Sequence, residues 1–159
     1  MDVACGRGRH LRWLATQGFA VTGVDRDPGA AATAGPATRV LIADIENGPW
    51  PLAGQRFDAV VVINYLWRAL WPVLRDSLAD GGVLIYETFA QGQQLIGKPS
   101  RPEFLLRPGE LLQAFAGLRV VAYEDGFDAA GLRFVQRIVV VNEPPGLPQP
   151  LRYGLTVTG

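Results

Sequence analysis

Short apolar runs alternate with helix-like stretches along most of this chain. Runs rich in β-branched residues cover 19–24, 39–43 and 57–64, and the last is largely apolar, as expected for a strand buried on both faces of a parallel sheet. The next pattern predicts a helix over 67–79, closed by Asp-Gly-Gly, and a strand over 83–89. This alternation predicts a doubly wound, Rossmann-like α/β domain with a mostly parallel sheet.

The C-terminal third departs from this alternation. Gly, Gln and Pro are frequent over 90–107, which predicts a loop longer than a routine connection, followed by a short helix. Two long apolar runs at 118–127 and 132–141 are separated by a few residues and predict a C-terminal antiparallel hairpin. Prolines then mark residues 143–159 as an extended tail, so the folded domain is expected to span residues 1–142.

Composition narrows the classes of function. The 159 residues are 48% hydrophobic and carry 15 basic and 15 acidic side chains, which suits one globular domain and argues against a nucleic-acid partner. No apolar run approaches the ~18 residues that cross a bilayer, so no membrane partner is expected. A single cysteine and a single histidine disfavour a metal site and an internal disulfide, and the expected compartment is the cytoplasm.

The chain opens on a glycine turn, which follows a strand and precedes a helix. This arrangement, with Asp25 ending the next strand, suits either a nicotinamide dinucleotide or S-adenosylmethionine (SAM). Leu11 stands where the dinucleotide pattern needs its third glycine, and Asp2 would repel a pyrophosphate but attract the ammonium and sulfonium of SAM. Asp25 is placed to bind a ribose diol, and Asp44, after the third apolar run, can accept from an exocyclic amine.

Successive motifs resemble those of class I SAM-dependent methyltransferases. The motifs are "DVACGRGRH", "GVDRD", "ADIENGPWPL", "FDAVVVINYL" and "GGVLIYETF". The resemblance covers about residues 2–141, and "GRGRHLRWLATQGFAVTGVDRD" with "FLLRPGELLQAF" is most similar to the tellurite-resistance-type branch and its relatives. It implies a seven-stranded sheet whose last strand is antiparallel, SAM as cofactor, and methyl transfer to a small molecule.

The resemblance also implies which residues form the site. The implied cofactor-binding residues are Asp2, Ala4, Cys5, Gly6, Gly8, Asp25, Asp44, Ile45, Asn64 and Tyr65. The candidates for contact with the substrate are Tyr65, Trp67, Glu87, Arg101 and Arg107. No residue is assigned to catalysis, because an activated sulfonium mainly requires alignment and the exclusion of water.

Several alternatives stay open at this point. Aspartates at strand ends often shape turns, Cys5 suits a space-filling role, and Glu87 could serve in a salt bridge. Arg101 and Arg107 could fix an anionic substrate or simply be solvated. The alternative functions are a nicotinamide-dependent oxidoreductase and a non-catalytic SAM-binding or interaction module.

The sequence begins close to its own glycine turn. Residues 1–4 supply about half of a usual strand of ~5–6 residues. Members of the methyltransferase class that this sequence resembles have a further segment before this strand. We therefore expect that an N-terminal segment is missing, and that the chain as written loses stability and cofactor affinity. Patterns in the sequence predict no oligomeric state.

Overall fold

A computed structural model describes residues 1–32, 35, 38–146, 149 and 151–154. The strands are β1 (Asp2–Val3), β2 (Val21–Asp25), β3 (Thr38–Ile42), β4 (Phe57–Ile63), β5 (Leu78–Phe89), β6 (Arg119–Asp128) and β7 (Arg133–Val141). The α-helices are α1 (Arg9–Thr16), α2 (Gly29–Ala32), α3 (Trp71–Asp76) and α4 (Glu110–Ala114). Short 3₁₀ helices cover Arg68–Leu70, Gln93–Leu95 and Pro102–Phe104.

The seven strands form one sheet in the order β3-β2-β1-β4-β5-β7-β6. Pairing is parallel from β3 to β5, whereas β7 is antiparallel to both β5 and β6. The predicted mostly parallel sheet with a C-terminal antiparallel hairpin is therefore confirmed. The strand order reverses at β1, and ligands of such sheets bind outside the carboxyl ends of the strands beside this switch point.

The main core lies on one face of the sheet. Val62 of β4 and Tyr86 of β5 point into it and are at most 1% exposed. Phe115, just after α4, packs on Tyr86 with ring centroids 5.9 Å apart. The opposite face carries α1 over β2, while Ile85 of β5 remains 40% exposed there.

Contact between α1 and β2 depends on a glycine in the strand. A Cβ on Gly23 would lie 2.7 Å from Leu11 Cδ1 and 2.9 Å from Cys5 Sγ. Dinucleotide-binding folds obtain a similarly close approach of helix and strand from a glycine on the helix. Here the large side chain, Leu11, is on the helix, and the glycine, Gly23, is in the strand. Half-buried Cys5 fills space inside the turn.

One predicted element is wrong in its bounds. Instead of a helix over 67–79, a 3₁₀ turn leads into α3, which ends at Asp76, and the Asp-Gly-Gly segment 80–82 belongs to β5. Leu78 is fully buried and pairs with Phe57 at the start of β4. The register then shifts, so the glycines form an irregularity within a strand rather than the end of a helix.

The proline-rich segment follows β7. Among its described residues, Tyr153 donates a hydrogen bond from its hydroxyl to Glu143 Oε1 at 3.0 Å. Pro148, Pro150 and residues 155–159 lie outside the described residues, and the boundary at residue 142 stays a prediction. In the described part of the chain, no helix has the length and apolar character that crossing a membrane requires.

Candidate functional site

A cavity of about 400 Å³ opens at the carboxyl ends of the parallel strands. It is called the cofactor cavity below, and its wall comes from the ends of β1 to β5 and from the loop that follows β5. Six of the ten predicted cofactor-binding residues line it: Ala4, Asp25, Asp44, Ile45, Asn64 and Tyr65. The cavity therefore occupies the switch point where sheets of this kind bind ligands.

The other four predicted residues do not line this cavity: Cys5, Gly6 and Gly8 belong to the glycine turn, and Asp2 to β1. Gly8 N donates to Cys5 O at 2.9 Å, and Cys5 N donates to Val24 O at 3.1 Å, which fixes the turn against β2. Gly6 has φ of 52°, and a Cβ there would meet no heavy atom within 4 Å. The turn thus presents open backbone that a ligand can approach.

Asp2 lies buried beneath the turn. It is 1% exposed, and its Oδ2 atom has no hydrogen-bond partner among the described residues. Burial raises the pKa of Asp2 to about 7; the N-terminal ammonium and Arg9 oppose this rise, and Asp25 adds to it. A buried acceptor without a partner is costly, and a ligand ammonium would satisfy it, so this residue fits the amino group of SAM.

Asp25 faces the cofactor cavity and also shapes the backbone around it. Its Oδ2 accepts a hydrogen bond from Gly6 N at 2.7 Å, and its Oδ1 accepts one from Asp27 N at 2.8 Å. A carboxylate offers about four acceptor positions, so each oxygen keeps capacity for a ribose hydroxyl. The turn-shaping role and the ligand-binding role are compatible at this residue.

Asp44 holds the turn after β3. Its Oδ2 accepts from Asn47 Nδ2 at 2.9 Å, and its Oδ1 accepts from the backbone amides of Glu46 at 3.0 Å and Asn47 at 3.2 Å. The hydrogen bond from the Asn47 side chain, followed by these two amides, lowers the pKa of Asp44. The carboxylate therefore stays ionised, and the turn that it shapes brings Ile45 to the cavity wall.

Asn64 and Tyr65 follow β4 at the centre of the cavity wall. Asn64 has φ of 57°, a left-handed conformation that asparagine tolerates. Its backbone N–H donates a hydrogen bond to Glu87 O at 2.9 Å. The Tyr65 hydroxyl donates to Glu46 Oε1 at 3.2 Å, and burial, then the Glu46 charge, raises the pKa of Tyr65. Tyr86 donates to Tyr65 O at 2.9 Å, which ties this backbone to the core.

Three substrate candidates lie on cavity walls. Tyr65 lines the cofactor cavity, whereas Trp67 and Arg101 line an adjoining cavity of about 420 Å³, called the aromatic cavity below. The residues common to both walls are Glu46, Leu66 and Phe104.

The remaining two candidates form ion pairs and line neither cavity. Glu87 pairs with Arg133 at 2.9 Å and with Arg137. Its role in a salt bridge is the alternative to substrate contact that the sequence leaves open. Arg107 pairs with Glu110 at 3.1 Å, and its own side chain is 70% exposed.

Sequence reasoning missed an ion pair that fastens the loop beside the cofactor cavity. Arg68 donates two hydrogen bonds to Glu110 at 2.7 and 2.9 Å, and others to the carbonyl oxygens of Glu103 at 2.8 Å and Leu105 at 3.0 Å. Burial disfavours ionised Glu110, but the hydrogen bonds from Arg68 and Arg107 outweigh it and hold the pKa of Glu110 at about 2. Arg68 and Glu110 are 42 positions apart, a separation that no local pattern reveals.

The wall of the cofactor cavity is negatively charged. Its charged residues are three carboxylates and one guanidinium, from Asp25, Asp44, Glu46 and Arg26. Such a wall favours a cationic ligand over an anionic one. Within the described ranges, no group of three or more His, Cys, Asp or Glu residues could hold a metal ion.

Comparison with known proteins identifies the class. A family model described as a methyltransferase domain matches residues 1–82, which is just over half of the chain, and the chain belongs to this methyltransferase family. The sheet order with β7 reversed is that of the class I SAM-dependent methyltransferases, so the predicted resemblance is confirmed. S-adenosylmethionine is the cofactor of this class, and the residues around the cofactor cavity fit it.

Solved structures share the fold at low sequence identity. TehB from Haemophilus influenzae superimposes with a TM-score of 0.69 at 16% identity over 89% of this chain, which spans 57% of that protein's length. An S-adenosylmethionine dependent methyltransferase from Mesorhizobium loti gives 0.68 at 16% identity, covering 88% of both chains. The glycopeptide N-methyltransferase MtfA in complex with SAM gives 0.61 at 17% identity, covering 90% of this chain and 86% of MtfA. A comparison with curated proteins found no match.

Proposed function

We propose that this protein transfers the methyl group of SAM to a small-molecule acceptor. The observation that carries the proposal is the negatively charged cavity at the switch point, beside a buried Asp2 oxygen that has no partner among the described residues. SAM carries an ammonium and a sulfonium, so this wall attracts it, whereas the pyrophosphate of a nicotinamide dinucleotide is repelled. The charge pattern thus favours the methyltransferase over the oxidoreductase.

Each part of the cofactor has a proposed partner. Asp2 receives the amino group, Asp25 the ribose hydroxyls, and Asp44 with the Ile45 amide the adenine. The backbone of the turn, residues 4–8, borders the cofactor, and Asn64 and Tyr65 stand between cofactor and acceptor. Bound SAM supplies an already activated methyl group, so the protein has only to align the acceptor and exclude water.

The loop after β5 supports a small acceptor. Pro99 and Phe104 of this loop line the cofactor cavity, and the Arg68–Glu110 pair fastens the loop to the segment before α3. A nucleic-acid acceptor would need basic groups free for its phosphates, but Arg68 and Arg101, the two arginines on the wall of the aromatic cavity, are paired with carboxylates. The proposed compartment is the cytoplasm, where a lone cysteine stays reduced.

Methyl transfer is tested with SAM labelled on its methyl group and a cell extract separated by molecular size. We expect label in the low-molecular-weight fraction, and a lower rate for Asp25→Ala because that variant binds SAM more weakly. Label found only in protein or nucleic acid would contradict the small acceptor. Binding of SAM without transfer to any fraction would favour the non-catalytic module.

A further inference from the structure

The aromatic cavity next to the cofactor cavity has two large exposed rings on its wall. Trp67 is 36% exposed and Phe104 is 40% exposed, and both line this cavity. Leaving such rings in water forgoes the stabilisation that burying them would give. Two exposed aromatic rings on the wall of one cavity therefore suit a flat, apolar ligand.

The two arginines on this wall form ion pairs, whereas one carboxylate on it forms none with the described residues. Arg68 pairs with Glu110, and Arg101 donates from Nε to Glu103 at 2.7 Å while its guanidinium lies 5.2 Å from the Phe104 ring centroid. Among the residues that the structure describes, no salt bridge involves Glu46, whose side chain accepts a hydrogen bond from Tyr65. Glu46 also lies on the walls of both cavities, so its unpaired charge is at their boundary.

We propose that the aromatic cavity binds the methyl acceptor and that the acceptor is a flat, apolar amine. Its body packs against Trp67 and Phe104, and its ammonium head lies toward Glu46, at the boundary with the cofactor cavity. For transfer, the ammonium first releases one proton to water; the neutral nitrogen then bonds to the methyl carbon as the S–C bond of SAM breaks and S-adenosylhomocysteine leaves. An anionic head would meet the Glu46 carboxylate and two arginines that are already paired. The role as acceptor rests on the proposed function, whereas binding of such an amine depends on this cavity alone.

Three probes with the same ring system separate the contribution of the head group: 1-naphthylmethylamine, 1-naphthylmethanol and 1-naphthoic acid. We expect the amine to bind at least about tenfold more tightly than the alcohol, the ratio for one charge-assisted hydrogen bond, and the acid to bind most weakly. Glu46→Gln should remove this preference and keep the affinity for the alcohol. Asp58→Asn, which removes the same charge in the amino-terminal half of β4, should keep the preference.

The ring contact and the site are tested separately. Trp67→Ala should weaken binding of all three probes while its circular dichroism spectrum stays that of the wild type. Equal affinities for the three probes, or an unchanged preference in Glu46→Gln, would overturn the proposal. Displacement of the amine by S-adenosylhomocysteine would also overturn it, because the probe would then occupy the cofactor cavity. Binding of the amine without any binding of S-adenosylhomocysteine would support this site and contradict the proposed function.

Discussion

At the scale of single residues, the carboxylates at the strand ends have a structural role besides the binding role proposed for them. Asp25 and Asp44 each accept backbone amide hydrogen bonds that shape a turn, and both line the cofactor cavity. Because a carboxylate has acceptor positions for more than two donors, these bonds leave room for a ligand. Replacing such a residue should therefore change both ligand affinity and local stability.

Asp25→Ala measures the binding role. We expect its dissociation constant for SAM to rise roughly 5–150-fold, because hydrogen bonds to a charged group contribute ~1–3 kcal/mol. Its melting temperature should fall slightly, since the amides of Gly6 and Asp27 lose their acceptor. Asp27→Ala is the control: its carboxylate accepts from Gly29 N at 2.8 Å and does not line the cavity. Equal dissociation constants for the two variants would assign Asp25 to the turn alone.

Asp2 should make cofactor affinity depend on pH. Its pKa is raised from an ordinary 3.8 to about 7, so at lower pH the side chain is protonated and cannot pair with an ammonium. We expect the dissociation constant for SAM to fall roughly tenfold from about pH 5.5 to about pH 7, and much less in Asp2→Asn. The same slope in both proteins would contradict the assignment.

The raised pKa of Asp2 also affects the stability of the ligand-free protein. As pH rises from about 4 to about 7, the unfolded chain releases this proton before the folded one does, so the free energy of unfolding falls. Urea unfolding of the wild type and Asp2→Asn across this range should show that component only in the wild type.

At the scale of elements, the contact of α1 with β2 depends on Gly23. Gly23→Ala places a Cβ 2.7 Å from Leu11 Cδ1 and 2.9 Å from Cys5 Sγ, so the helix or its side chains must move. We expect a loss of about 1–3 kcal/mol in the free energy of unfolding, as for other overpacked sites. Gly126→Ala is the matched control, because a Cβ there meets nothing within 4 Å. Equal stability of the two variants would show that this packing is loose.

The loop after β5 depends on the Arg68–Glu110 pair. The pKa of Glu110 is lowered from 4.5 to about 2, so its stabilisation is fully present above about pH 4.5 and is lost as pH falls toward about 2. Glu110→Gln should lower the free energy of unfolding at neutral pH by about 1–3 kcal/mol and remove this part of the acid sensitivity. Glu103→Gln, which breaks only an exposed pair, should change the free energy of unfolding much less than Glu110→Gln does. Acid unfolding curves that coincide for both variants would contradict this role.

At the scale of the whole molecule, the sequence predicts whatever depends on local pattern. Apolar runs predict most of the strands, and their terminal aspartates, Asp25 and Asp44, lie on the cavity wall, because strand ends meet at one edge of a parallel sheet. The other four predicted residues of this wall come from the resemblance to methyltransferases. Features that depend on distant partners stay hidden. Arg68 and Glu110 are 42 residues apart. The pattern at Gly81 and Gly82 is typical of a helix end, and only the pairing of Leu78 with Phe57 shows that these glycines belong to a strand. No local pattern predicts that Phe104 lines the cavity.

The central claim is that the cavity at the carboxyl edge of the sheet binds SAM rather than a dinucleotide. Calorimetric titration of the wild-type protein with SAM, S-adenosylhomocysteine and NAD in one buffer tests it most directly. The charge of the cavity wall and the buried Asp2 carboxylate predict one site that binds either adenosyl ligand more tightly than NAD. Tighter binding of NAD than of both adenosyl ligands would contradict the account.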